Sequence, residues 1–310
     1  MNNFNFNRFG QTFRWMLVTH LQTFLAFTAG CAAAVFLIEM ILIAFSVSSD
    51  GGNYVPYLSS NISEFFVLFL VIYALVAIST LFSYYLKKPQ REAFLMLPST
   101  NLEKYLAAVI YVTVVWTLAG FLAFDVGDTL RMLVRALAYG NEWYSLVPEV
   151  SEYFFRFINT DISDNINIAS TSYKVTWNIF IVSSLFWIHS LYILGGTLMR
   201  KYSFVVASLA AILFVTLYVW VGLKLNLSGF YTETILDGQS LEVLRQSGAL
   251  DANGPWSAKS VQIIHKVGVM GYFLTVTMPL LSIFNYWASY RIFKGFQLIT
   301  NKWTNYDFFK

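Results

Sequence analysis

Two ionisable side chains lie inside long apolar stretches of this 310-residue chain. Glu39 follows Val35-Phe36-Leu37-Ile38 and precedes Met40-Ile41-Leu42-Ile43, and His189 follows Leu185-Phe186-Trp187-Ile188. A charged group in the middle of a membrane helix costs about 2.5–3.5 kcal/mol on the insertion scale, so each is expected to face other helices rather than lipid. A Glu and a His in one bundle could relay a proton, which is the chemistry of a proton-coupled carrier. One carboxyl and one imidazole on different segments do not define a path. The plainer expectation is a neutral Glu39 bonded to a neighbouring helix, with His189 near an interface. Asn178, Ser184 and Asn285 have the same interhelical use open to them.

Other chemistry is thinly represented. His20, His189 and His265 are far apart in sequence, and no His-Glu-x-x-His zinc motif or Gly-x-Ser-x-Gly nucleophile elbow occurs. We therefore expect no catalytic residues and no metal site. No Gly-x-x-x-x-Gly-Lys-Ser/Thr loop is present either, so any ATP chemistry is expected on a separate chain. Cys31 is the single cysteine, which leaves no intrachain disulfide to form. Thr28-Ala29-Gly30-Cys31 loosely resembles a lipoprotein cleavage box. The apolar run continues past it through Ala32 to Ile38, and a retained span is the expectation.

The elements that position these residues follow from composition. The chain is 57% hydrophobic and only 12% charged, and a soluble domain carries about twice that charge. The net charge of +3 is too small to suggest nucleic acid as a partner. Crossing a bilayer takes about 20 apolar residues. Six stretches qualify, at 24–45, 65–86, 106–124, 175–198, 204–223 and 267–292. The expected fold is all-α, a single polytopic membrane domain over 1–310. Lysine and arginine set the orientation. The 46–64 loop has neither, whereas the segments 1–22, 87–104, 199–203 and 293–310, with Arg291 at the last span's edge, hold 12 of the 20 basic residues. Both termini are therefore expected in the cytoplasm.

Three pieces outside the spans have readable patterns. Residues 1–22 place Phe6, Phe9, Phe13, Met16 and Leu17 at helical spacing, as in an amphipathic helix lying in the interface. The first large outer loop, 125–174, opens with Leu130, Leu133, Val134 and Leu137 opposite Arg131 and Arg135, a second amphipathic helix with Gly140 as its stop. Its remainder is acidic and long enough for a small cap. The second outer loop, 224–266, has a short helical candidate over 241–250.

The loop between the second and third spans is the most informative. Phe94-Leu95-Met96-Leu97 is an apolar cluster within charged surroundings, Pro98 breaks the chain, and Thr100-x-x-Glu103 is a capping box that opens the third span. Read alone, this is a short interfacial helix and an ordinary helix start. The string Leu97-Pro98-Ser99-Thr100-Asn101-Leu102-Glu103-Lys104, between a second and a third span, also resembles the first cytoplasmic loop of type-two ATP-binding-cassette (ABC) permeases, most of all bacterial ones. That resemblance implies a six-span permease subunit of an ATP-driven exporter in the bacterial inner membrane. It implies a second permease chain, identical or not, and an ABC ATPase that holds the ATP and Mg. Within it, Phe94 to Leu97 would touch the ATPase. Pro98, Thr100 and Glu103, with Lys104 following, would set the turn back into the membrane. The 125–174 loop is longer than is usual in the family. A non-transporting sensor or assembly subunit built on the acidic outer loops is the alternative, and the proton-coupled carrier a third.

Overall fold

A computed structural model describes residues 4–49, 56–80, 88–139, 145–158, 167–169, 171–199, 201–227, 229, 231–235 and 263–295. In order, the elements are α1 (Phe6–Ser49), α2 (Pro56–Ser79), α3 (Lys88–Leu95), α4 (Asn101–Ile110), a π turn (Tyr111–Val115), α5 (Trp116–Tyr139) and α6 (Val147–Ile158). They continue with β1 (Asn167–Ala169), α7 (Thr171–Leu198), α8 (Ser203–Lys224), β2 (Tyr231–Ile235), β3 (Ile263–Val267) and α9 (Val269–Lys294). Among the described residues five helical runs are long and apolar enough to cross a membrane: Phe6–Ile41, Asn101–Leu137, Val175–Leu198, Ser203–Lys224 and Val269–Lys294. Ser63–Ser79, within α2, is a shorter apolar helix. The chain is a helical, multi-pass membrane protein.

Several boundaries differ from expectation. The N-terminal amphipathic segment and the first span form one helix, α1. No proline interrupts 6–49, and the glycines within it, Gly10 and Gly30, do not stop a helix whose neighbours continue it. The third span likewise runs through the π turn into the segment expected as a separate outer helix, ending at Tyr139. Again no proline intervenes. α2 begins nine residues before the expected second span, at Pro56, a residue well suited to the first helical position. The helical candidate at 241–250, the Gly140 stop and the C-terminal tail from 296 lie outside the described residues.

The chain divides into two units. Unit 1 comprises Met1–Phe155, Tyr192–Ala207 and Tyr286–Lys310. In it α1 lies along α4, the π turn and α5, with α2 also against α5. Val35, Phe66, Leu70, Phe124 and Val150 of α1, α2, α5 and α6, with Leu146 just before α6, form a buried cluster. Two glycines permit the close approach. A Cβ on Gly127 would stand 2.7 Å from Val35 Cγ1 and 2.9 Å from the Ala32 carbonyl oxygen. One on Gly120 would stand 2.7 Å from Tyr73 Cε1. Tyr202, in the left-handed region at φ 60°, turns the chain between α7 and α8, and Ser203 Oγ then donates to the Ser79 carbonyl at 2.7 Å.

Unit 2 comprises Arg156–Leu191 and Ser208–Asn285. Trp187, Leu274 and Met278 form its buried cluster, with Phe214 against Trp187 at 4.7 Å between ring centroids. Asn285 Nδ2 donates to Ser190 Oγ at 3.1 Å, which joins α9 to α7. α8 ends on a Schellman motif. Asn226 takes φ 49°, its N–H donates to the Leu223 carbonyl, and the N–H of Leu227 donates to that of Gly222 at 3.1 Å. Beyond the helices lies a three-stranded sheet that sequence reading did not anticipate, ordered β1-β3-β2, parallel between β1 and β3 and antiparallel between β3 and β2.

Candidate functional site

Among the described residues of unit 1, two clusters of polar and charged side chains differ in kind. The first surrounds the α3–α4 turn. Lys88-Pro89 opens α3, and after Leu95 the chain tightens through a Leu97 N–H bond to the Phe94 carbonyl. Thr100 then caps α4. Its Oγ1 accepts from the Glu103 N–H at 3.3 Å, and Glu103 Oε2 accepts from the Thr100 N–H at 2.8 Å, so the capping box is complete. Lys104 Nζ donates to the Leu95 carbonyl at 2.6 Å, which closes the turn on itself.

This corner is anchored from two directions. The other oxygen of Glu103, Oε1, accepts from the Asn5 N–H at 2.8 Å and from Arg8 Nη2 at 3.0 Å, which fastens the start of α1 to the start of α4. Phe94 is 1% exposed. Its ring stacks on Trp15 of α1, and its edge meets Phe293 of α9, each at 6.2 Å between centroids. Tyr105 continues the aromatic seam to Phe293 and Tyr290, and its hydroxyl bonds Ser289 Oγ at 3.0 Å.

The residues expected to meet a partner therefore divide by burial. Phe94 is committed to the protein's own core, because a flat ring between two other rings gains more there than at a surface. Glu103 and Lys104 are buried as well. Leu95, Leu97 and Thr100 are half-buried, Pro98 is exposed, and Met96 projects with 85% of its surface free. Asn5, Arg8, Trp15 and Phe293 were not foreseen as parts of the corner. The carboxylate of a capping box has a second oxygen to satisfy, and that is the one signal that could have pointed to Arg8.

The second cluster surrounds Glu39, which is 0% exposed. Arg131 of α5 lies against it, and Arg131 Nε donates to Glu39 Oε2 at 2.9 Å. The same nitrogen is 3.0 Å from Asp128 Oδ1, and Arg131 Nη2 donates to that oxygen too. Asp128 Oδ2 accepts from Ser145 Oγ at 2.6 Å and from the Leu146 N–H at 3.1 Å, which fixes the chain entering α6. Asp128 and Arg131, expected in an outer loop and on the polar face of a surface helix, are instead buried in the helix that continues the third span. His189 is half-buried on α7 in unit 2, whereas Glu39 belongs to unit 1. Asp128 and Arg131, not His189, are the ionisable groups brought to Glu39.

Among the described residues no group of three or more His, Cys, Asp and Glu has the arrangement of a metal site. In unit 2 a cleft of about 480 Å³ opens between the end of α8 and the start of α9, lined by Tyr218, Gly222, Asn226 and Met270 among others. No family model, curated protein or solved structure matches the chain.

Proposed function

We propose that this chain is the permease subunit of an ATP-driven ABC exporter, coupled to a separate ATPase through residues 87–104. On this reading α2 is the sixth membrane helix and both termini are cytoplasmic. Two permease chains enclose the transport path in the bacterial inner membrane, and ATP and Mg are bound by the partner ATPase.

The observation that carries the reading is the way Met96 is mounted. A side chain that transmits force between proteins must be exposed, apolar and rigidly backed. Met96 is the exposed apolar tip of a turn held by the Thr100–Glu103 box, the Lys104 bond to the Leu95 carbonyl and the Phe94 ring between Trp15 and Phe293. A thioether tip adapts to an irregular apolar cleft, and Leu97 and Pro98 beside it extend the contact.

Affinity purification from gently solubilised native membranes, followed by mass spectrometry, tests this. A stoichiometric ATPase with a phosphate-binding loop should co-elute with the wild-type chain and be lost from Met96→Asp and Leu97→Asp while the melting temperature of Met96→Asp stays unchanged. Purification without any ATPase, crosslinked or not, would remove the permease reading. The second reading, a non-transporting sensor or assembly subunit, would then rest on α6 and the three-stranded sheet, folded structure in segments where a simple transporter needs only loops.

A further inference from the structure

We propose that Glu39 holds a bound proton, shared with Asp128 over the guanidinium of Arg131, and that this proton is the ligand of a site between α1 and α5. The proposal does not depend on the transport reading.

Asp128 is surrounded by donors. Its Oδ1 faces Arg131 Nε and Nη2, and its Oδ2 takes Ser145 Oγ and the Leu146 N–H. That is the environment of an ionised carboxylate. Glu39 is served unequally. Oε2 accepts from Arg131 Nε, but Oε1 is buried with no hydrogen-bond partner among the described residues. Half of an ionised carboxylate without any donor, on a side chain that is 0% exposed, is an expensive arrangement. The carbonyl oxygen of a neutral acid tolerates it far better.

Arg131 Nε carries one hydrogen, yet oxygens of two carboxyl groups lie at 2.9 and 3.0 Å from it. Two anionic oxygens converging on one N–H repel each other. Glu39 Oε2 and Asp128 Oδ1 lie against the same nitrogen. With a proton on Glu39 Oε2, that oxygen accepts from Arg131 and donates to Asp128 Oδ1, while Oε1 becomes the carbonyl. Every close contact then has a donor and an acceptor.

Among the described residues the charged groups acting on Glu39 are Asp128 and Arg131. Asp125, one turn earlier on α5, is exposed and acts on Asp128, and Arg135, one turn later, is buried. Glu149 of α6 is occupied by Ser63 Oγ of α2 at 3.2 Å. Of the described residues just before α6, Ser145 contributes its hydroxyl and Leu146 its N–H. No cavity is required, since a proton is the one cation that occupies no volume between two oxygens. Its release would leave two buried carboxylates on one guanidinium and would favour separation of α1 from α5 at this site.

Infrared spectroscopy of the full chain, purified in detergent at neutral pH, reads the proton directly. The wild type should show a carboxylic-acid C=O stretch that shifts in D₂O. The band should shift again when the chain is grown with glutamate heavy-labelled at the side-chain carboxyl carbon, and not with aspartate so labelled. It should vanish in Glu39→Gln and in Asp128→Asn, the second because a lone guanidinium would then be balanced by an ionised Glu39. Absence of any acid band in the wild type, a band that responds only to labelled aspartate, or a band unchanged in folded Glu39→Gln would overturn the proposal. The labelling arms need no variant, so a band that ignores labelled glutamate overturns the proposal even if both substitutions fail to fold, and a folded Glu39→Gln assigns the band to Glu39 among the nine glutamates.

Discussion

Arg8 and Glu103, 95 positions apart, meet at 3.0 Å where the first helix begins and the third apolar helix opens. The carboxylate is buried and the guanidinium part-exposed, so the pair alone contributes modestly. Its weight comes from the company it keeps. One side chain completes a capping box through Oε2 and receives the start of α1 through Oε1.

Glu103→Ala should therefore cost more than an ordinary helix cap. Loss of the cap is worth about 1 kcal/mol, and loss of the bonds to Asn5 and Arg8 adds about 1–3 kcal/mol. Thr100→Ala removes the cap alone and should cost about 1 kcal/mol. Fluorescence-monitored melting in detergent should rank wild type above Thr100→Ala and Thr100→Ala above Glu103→Ala. Equal melting temperatures for the two variants would show that the Asn5 and Arg8 bonds contribute nothing.

Phe94 and Met96 are two residues apart and should behave as opposites. Phe94→Ala empties a site between two rings and should cost about 3–5 kcal/mol. Met96→Ala should leave stability within about 0.5 kcal/mol, because the side chain stands in the open. The same melts decide this, and a large loss from Met96→Ala would mean that the turn is packed against something in the isolated protein.

Gly127 and Gly222 make a second contrast. A methyl group on Gly127 meets Val35 at 2.7 Å and the backbone oxygen of Ala32 at 2.9 Å, and backbone cannot step aside. Gly127→Ala should lose about 1–3 kcal/mol through overpacking. A methyl on Gly222 meets Met270 Cε at 2.8 Å, the free end of a flexible side chain. Gly222→Ala should be tolerated with little change. Replacing Val35 with Ala should not rescue Gly127→Ala, since the carbonyl contact remains.

Arg131→Met should be the most damaging single change in the second cluster. It leaves two buried carboxyl groups without their cation, and breaking a buried pair from one side costs about 3–5 kcal/mol. Arg131→Lys should fall between wild type and Arg131→Met, because an ammonium supplies the charge but not the fork that serves both partners. Folded yield and melting temperature together measure the series, and a fully stable Arg131→Met would mean that the cluster does not hold α1 to α5.

The parts of this protein that were legible in the sequence are those governed by neighbours along the chain. Thr100-x-x-Glu103 is a local signature and formed as read, and apolar runs marked the long helices because lipid forces a crossing segment to satisfy its own backbone. Glu39 was recognised as needing a partner, but the partner lies 92 positions away on Arg131. Arg131 and Arg135 resembled the wet face of a surface helix because the same periodicity describes a helix lying on a membrane and one continuing a span. The unbroken sequence from Asn101 to Tyr139, with no proline in it, was the available clue. The sheet was beyond local reading. β1 and β3 pair with Asn167 opposite Ile263 across nearly a hundred residues, and strands of three to five residues leave almost no period to count.

The π turn at Tyr111–Val115 has a consequence for everything that follows it in the same helix. A π turn accommodates one more residue than the α turn it replaces, and each residue advances a helix by about 100°. Without that extra residue, Asp128 and Arg131 would still lie on one face, but that face would point elsewhere, and Glu39 would confront hydrocarbon. The wide turn, about 20 Å from Asp128 along the axis, thus acts as an angular offset. It sets the compass bearing of a charge it never touches, and deleting a single residue there would rotate a cation out of the interior while leaving the order of every side chain after it unchanged.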